Sequence, residues 1–460
     1  VNTGAAHIKN GGKFVIHKSI SGSGGANGIY NNVSGSKVLR VEGRQFDVDA
    51  DTSNGINNVA GIVTVSGNTF NIAGNQSNGV TNAGQLRIEG ANNRFTIAGG
   101  SSSGVYNTGK VTGTNVTFDI VQTNSPAGTQ SNGIINDGTD LVSLTTGVFN
   151  VYQNESNGIN NTKANGTIKL SGIDFTVGNT TGGIATGYKS NGVANLGTLS
   201  TSNGSFVING QNANGILNET GGKVETKYTN FTINAVATKD ANAISTDGKL
   251  EVYGGTITIG APQSNGIITS SSATAVKIEG TDFVLNANKT NGINNPAGAS
   301  TITVTRDLAN AGKRSSFTGI AGIQNSNGIY TNSTGNTDIS YSDFTFDYPT
   351  SGPGTGKYNN GILIGTGTGT TATHKIDRST FKFGSAESNG IAIGSGASLD
   401  VTNSSFDLRG YHSNGIRIES AAAIPSVNVK NSSFNTEGSF SNGIYTTGKI
   451  TNLKVTDNST

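Results

Sequence analysis

The sequence predicts an all-β solenoid, and three observations predict it. The tetrapeptide Ser-Asn-Gly-Ile recurs with small variations from Gly28 to Gly443, which lie 415 residues apart over 15 intervals, a mean period of about 28 residues. Between motifs, apolar and polar residues alternate in short runs, the period of a half-buried strand and not of a helix. Fifteen of the 18 phenylalanines fall at one position of the unit. Three short strands per copy have one economical arrangement. Equivalent strands of successive coils pair in parallel, ~4.8 Å apart, and stacking closes a core that no single coil could bury.

One regular copy shows the elements in order. Ser77-Asn78-Gly79-Val80-Thr81-Asn82 forms the first strand, Gln85-Leu86-Arg87-Ile88-Glu89 the second and Arg94-Phe95-Thr96-Ile97 the third, with Gly, Asn and Ser between them. The motif glycine recurs at Gly28, Gly55, Gly79, Gly104, Gly133, Gly158, Gly192, Gly215, Gly266, Gly292, Gly328, Gly361, Gly390, Gly415 and Gly443, with Ala243 in one degenerate copy. Sixteen copies predict about 16 coils and a rod of roughly 75–80 Å, a single continuous solenoid over residues 1–460.

The third strand supplies the core. Phe14, Phe46, Phe70, Phe95, Phe118, Phe149, Phe175, Phe206, Phe231, Phe283, Phe317, Phe344, Phe381, Phe406 and Phe434 occupy its inward position, and Ile257 replaces them in the degenerate copy. These rings are expected to stack coil on coil. Asparagine is periodic too. It precedes the motif glycine in 15 of 16 copies, Ser103 being the exception. A second Asn lies three residues after the glycine in eight consecutive copies, from Asn31 to Asn218. Stacked equivalents become amide ladders, each side chain donating to one neighbour and accepting from the other. Gly and Asn also tolerate φ > 0, which tight corners need.

Composition follows from the repeat: 68 Gly and 59 Asn among 460 residues, with only 13% charged. Several functions are excluded. Cysteine is absent, so disulfides, thiolate metal sites and a Cys nucleophile are absent with it. A net charge of +2 with no Lys/Arg block leaves no nucleic-acid footprint. No run of 18 apolar residues offers a helical membrane span. With no initiator Met and a repeat that looks uninterrupted at Val1 and Thr460, the chain reads as a piece of a longer surface protein.

Irregularity is where a solenoid is expected to carry function. The distance from the Phe position to the next motif glycine is nine residues in ten intervals and longer in six. The enlarged corners include Ser21 to Gly25, Ser125 to Gly128, Thr186-Gly187-Tyr188-Lys189, Lys239-Asp240 and the long Phe344–Gly361 connection. Other corners lengthen between Gly292 and Phe317 and between Gly361 and Phe381, with the Gly365–Thr371 run and His374. The irregular coils thus gather around 290–380. Tyr348, Lys357 and Tyr358 are the expected ligand contacts, with Tyr188 and Lys189 at an equivalent corner.

The coil period, stacked Phe and Asn ladder together resemble the right-handed parallel β-helix proteins: pectate lyases, polygalacturonases, phage tailspikes, autotransporter passengers and pectate-lyase-like surface adhesins. The resemblance covers essentially the whole chain and is carried by fold signals. It implies a right-handed coil and a long shallow face able to hold extended polysaccharide. The enzymes' motifs are not matched. The polygalacturonase pattern Asn-Thr-Asp, Asp-Asp, Gly-His-Gly, Arg-Ile-Lys is missing, its nearest fragment being Arg417-Ile418-Glu419. The acidic calcium cluster of a lyase is not formed by Asp174, Asp282 and Asp343, which stand coils apart. His7, His17, His374 and His412 are scattered. Only Asp343 and Asp377, on neighbouring coils, could approach a glycosidase carboxyl pair. Thr256 and Thr258 face Asp282 and Val284 on the next coil, not the threonine rows that ice binding needs.

The sequence therefore predicts a non-enzymatic extracellular solenoid, structural and adhesive at a microbial cell surface, without cofactor, metal or membrane span. Its expected partner is a glycan or host receptor. A self-assembling filament subunit, its coil ends lacking an obvious polar cap, and a polysaccharide lyase or hydrolase are the alternatives.

Overall fold

Parallel pairing in near-perfect register is the local rule. The computed structural model describes residues 5–9, 11–17, 25–121, 130–179, 187–235, 239–273, 275–332, 334–365, 372–394, 396–420, 423–457 and 459. The corners at 18–24, 122–129 and 366–371 lie outside the described residues, as does Thr186. The chain divides into two compact units, 1–224 and 225–460. Each is a parallel β-solenoid, that is, a parallel β-helix.

In the first unit, eight motif strands pair in sequence order, from Asn27–Asn32 to Asn214–Asn218. The second unit repeats this with eight more, from Asn242–Thr246 to Asn442–Thr446. The second and third strands of each coil stack likewise, aligning Leu86 with Val63 and Val111, and Phe95 with Phe70 and Phe118. In three coils these two strands fuse into 11-residue strands, Lys110–Ile120, Leu141–Val151 and Thr167–Val177. Alternation is broken there only by a residue in the left-handed region, Asn115 (φ 52°), Thr146 (φ 53°) or Gly172 (φ 60°), which bends the strand without ending it.

The core is the expected phenylalanine stack. In the first unit, rings from Phe14 to Phe206 lie 4.5–4.8 Å apart with planes within 15°. In the second, the rings of Phe283, Phe317, Phe344, Phe381, Phe406 and Phe434 stack at 4.6–4.8 Å. Ile257 stands in register with Phe231 and Phe283 and is fully buried. A second, shorter stack joins Phe346 and Phe383, at 5.3 Å. Inside the motif strands of the first unit runs a buried amide ladder. Each Nδ2 donates to Oδ1 of the next coil, from Asn31 through Asn58, Asn82, Asn107, Asn136, Asn161 and Asn195 to Asn218, at 2.7–3.1 Å.

The motif glycine has a different cause from the one expected. None of the motif glycines adopts a positive φ; space, not conformation, requires the residue. A Cβ on Gly79 would stand 2.7 Å from the Gly104 carbonyl oxygen and 2.9 Å from the Phe95 ring. The left-handed residue of that corner lies three positions earlier, in fifteen coils from Thr52 to Phe440.

One stretch of core is polar. His374 is paired in register with Thr337 on one side and Leu399 on the other. It is 1% exposed, and neither its ring nitrogens nor Thr337 Oγ1 has a hydrogen-bond partner among the described residues. Burial alone pushes the imidazole down to about 4.

Candidate functional site

Each residue of Ser-Asn-Gly-Ile has one task, and together they build a groove. The Ile side chain enters the core. The Ser hydroxyl clips coils together at the corner: Ser77 Oγ donates to Ala50 O at 2.7 Å and accepts the amide of Ser53 at 3.1 Å. The same contacts recur at Ser102 and Ser131 and, in the second unit, at Ser413. The Asn side chain points outward and forms a second amide ladder of opposite polarity to the inner one, half-buried at most rungs and buried at Asn132, Asn191, Asn265, Asn389 and Asn414. Asn54 Nδ2 donates back to Asn27 Oδ1 and Asn78 to Asn54, at 3.0 and 3.1 Å. In the second unit Asn442, Asn414, Asn389, Asn360, Asn327, Asn291 and Asn265 each donate to the preceding rung at 2.8–3.0 Å.

This ladder is the floor of a groove running along the stack. One wall is the row of left-handed corner residues three positions before the glycine. The other is the outward residue two positions after it. In the first unit the groove encloses about 410 Å³, with Thr52, Gln76 and Ser101 on one wall and Thr81, Tyr106 and Ile135 on the other. In the second unit two adjoining stretches of about 320 and 280 Å³ share Glu387, Arg417 and Glu419. There the corner wall is Tyr358, Glu387, His412 and Phe440, and the opposite wall Leu363, Ala392, Arg417 and Tyr445.

The corner wall of the second unit is aromatic and open to solvent. Tyr358 is 47% exposed and Phe440 74%. Tyr411 stacks on His412 at 3.9 Å, and Phe440 meets both rings edge-on. The Tyr358 hydroxyl donates to the Glu387 carboxylate, which raises the tyrosine pKa. Arg417 is ion-paired with Glu419 at 2.7 Å. An Asn amide has two N–H donors and an oxygen with two lone pairs; the ladder uses one of each at Asn360 and Asn389, while Asn54 and Asn265 also accept from Thr81 and Asn294. A file of donors and acceptors at ~4.8 Å spacing, flanked by rings, suits an extended polyhydroxylated chain.

The expected contact residues divide between surfaces. Tyr358 is on the groove wall. Lys357, next to it, is exposed, and its backbone bridges Gln324 and Ala386. Tyr348 lies on the other side of the corner, over the third strands. Its hydroxyl donates to Asp407, the Arg409 guanidinium sits 4.2 Å from its ring, and burial with the Asp407 carboxylate pushes its pKa up to about 12. The connection is otherwise tied down by the Asp347 carboxylate accepting the Gly356 amide, by Arg409 donating to Pro349 O (3.0 Å), and by Asn359 Nδ2 donating to Ile323 O (2.7 Å). In the first unit Lys189 is the left-handed corner residue of its coil (φ 54°), the position Tyr358 holds in the second. Its ammonium lies 5.1 Å from the Tyr188 ring.

Sequence reasoning missed Glu387, His412, Arg417 and Phe440. Their signal was positional: three before or two after the motif glycine.

Asp343 and Asp377 sit in different strands. Asp343 faces Thr380, and Asp377 faces Ser340. Arg314 grips Asp343 through Nε and Nη2, at 2.9 and 2.8 Å. Asp377 accepts from Thr402, Asn403 and Arg378 at 2.7–2.8 Å. Both carboxylates are thus held by cations and donors. Among the described residues no cluster of His, Cys, Asp or Glu could hold a metal ion, and no helix is long and apolar enough to cross a membrane. No protein-family model matches the chain, and no curated protein matches its sequence. The class is therefore defined by the fold itself, a parallel β-helix repeat protein with 0% α-helix among the described residues.

Proposed function

We propose that this chain is a non-enzymatic extracellular adhesive solenoid of a microbial cell surface that holds a glycan along its motif strands. One observation carries the reading: the groove of amide floor, left-handed corner wall and outward side-chain wall recurs at the same repeat positions in both units. Its length per coil is close to that of one pyranose residue. Exposed rings on one wall supply stacking surfaces, and the amides supply hydroxyl partners. The second unit's groove carries Glu387 and Glu419 against a single Arg417, a balance that favours neutral or N-acetylated glycans over polyuronates.

The test is binding of the purified chain to an array of neutral, N-acetylated and uronate polysaccharides, repeated with Tyr358→Asn and Phe440→Asn. Asn keeps the left-handed corner while removing the ring. Binding reduced about fivefold by either change is expected, since each lost stacking contact costs on the order of 1 kcal/mol. Unchanged binding by both variants, or no glycan bound by the parent chain, would sink the reading. Tyr348→Ala serves as the contrast, expected to loosen the 347–359 connection and leave affinity within about threefold.

A further inference from the structure

Asparagine followed by glycine is the dipeptide most prone to lose its side-chain amide, because glycine offers no side chain to block the approach of its own backbone nitrogen. The sequence contains 18 such pairs, and 14 of them are the Asn-Gly of the motif. A chain so composed should age quickly unless the fold prevents it.

Reaction requires the glycine nitrogen to reach the asparagine Cγ. Two features of the motif strand oppose this. The backbone is extended and, in the inner coils of each unit, paired with a coil on each side, so it cannot rotate there without opening the sheet. The side-chain amide is also pinned in the ladder, as in Asn327 Nδ2 to Asn291 Oδ1 at 2.8 Å and Asn360 Nδ2 to Asn327 Oδ1 at 2.9 Å. Three of the remaining four pairs lie among the described residues. Asn209 is buried, and its amide donates to Gly178 O at 3.0 Å. Asn165 and Asn203 are both exposed and stand in corners, and among the described residues neither side chain has a hydrogen-bond partner. Asn203 is in the left-handed region (φ 52°). The Gly166 amide is engaged in a turn, donating to Lys163 O at 2.9 Å.

We propose that the folded chain carries two self-modification sites, Asn203 and Asn165, and that strand pairing and the ladder protect the motif Asn-Gly pairs of the inner coils, as burial protects Asn209. At each site the glycine nitrogen forms a bond to Cγ, the Cγ–Nδ2 bond breaks, and ammonia leaves with the proton of that nitrogen. Water then opens the cyclic imide at either carbonyl, giving aspartate or isoaspartate. Nothing is oxidised or reduced. Asn203 reacts ahead of Asn165, whose Gly166 amide is held in the turn. Each event adds one negative charge, so completion at both sites removes the formal net charge of +2 and with it the charge repulsion that opposes association.

The experiment incubates the full chain at mildly alkaline pH, folded and in guanidinium, and maps peptides by mass spectrometry with isoaspartyl-specific methylation. Folded chain is expected to convert at Asn203 and then Asn165, with motif asparagines at least ~10-fold slower, the factor set by opening the strand pairs. In guanidinium all pairs should convert within about threefold of one another. Motif asparagines converting as fast as Asn203 in the folded chain overturns the protection. Asn203 and Asn165 remaining intact while the denatured chain converts overturns the two sites. As a second measure, Asn165→Gln/Asn203→Gln should abolish the two acidic species that the parent accumulates on ion exchange; their persistence overturns the assignment.

Discussion

At the scale of single residues, the repeat is explained by what each side chain would collide with or leave unpaired. Gly79 shows the first case. Its missing Cβ makes room for the Gly104 carbonyl and the Phe95 ring, so Gly79→Ala must push apart two coils. A loss of about 3 kcal/mol is expected in urea unfolding. Gly35→Ala, with φ 82° but open space around it, should cost only about 1 kcal/mol through its backbone. His374 shows the second case. Its pKa falls from 6.5 to about 4 on folding, so the unfolded chain takes up the proton first. The stability due to the neutral ring is complete above pH 6.5, declines as pH falls toward 4 and is flat below. The loss amounts to about 3 kcal/mol. His374→Leu, the residue of the next coil at Leu399, should raise stability and flatten the slope between pH 4 and 6.5, measured by urea unfolding at a series of pH values.

At the scale of elements, two amide ladders run along the motif strands and differ in what their loss costs. The inner one is buried. Asn136 donates to Asn161 and to Gly138 O and accepts from Asn107. Asn136→Ala strands those partners away from water, with an expected loss of about 2–3 kcal/mol. The outer rung Asn291 is half open to solvent, and Asn291→Ala should cost at most about 1 kcal/mol; equal losses in the two variants, measured by chemical denaturation, would contradict the distinction. The corner before each motif strand adds a third term. Thr52 is β-branched and left-handed (φ 55°), a conformation that Asn tolerates better. Thr52→Asn should stabilise the chain by about 0.5–1 kcal/mol in the same assay.

At the scale of the molecule, each coil touches mainly its neighbours, so stability is a sum of local terms and need not fail everywhere at once. The polar stretch of core at Thr337 and His374 is therefore expected to be where the second unit opens first in acid. Hydrogen exchange near pH 5 should show protection lost in Thr337–Ser340 and Thr373–Asp377 before Ser398–Thr402. Uniform loss across these strands would refute that. Function is read at the same scale. A groove that one coil only notches becomes continuous because equivalent positions stack, and the proposed glycan contact depends on that continuity.

Much of this was legible in the residues. The 28-residue period determined the coil, because a recurring pattern of three short strands can bury its apolar face only against its own copies. Phe95 and its equivalents announced the core, and Asn82 and its equivalents the inner ladder, since stacking places like on like. The groove was not legible. Its corner wall holds Thr52, Gln76, Tyr358, Glu387, His412 and Phe440, residues with no shared chemistry, joined only by a left-handed φ that no residue type announces. The expected partners Tyr348 and Tyr358 are ten residues apart in sequence yet face different sides of one corner, because Asp347, Asn359 and Arg409 fold the connection between them. Periodicity by itself determined which residues stack, since register copies position onto position. Only the tertiary structure decided which outward rows become neighbours across a corner, because that depends on backbone torsions and loop ties that the repeat does not encode.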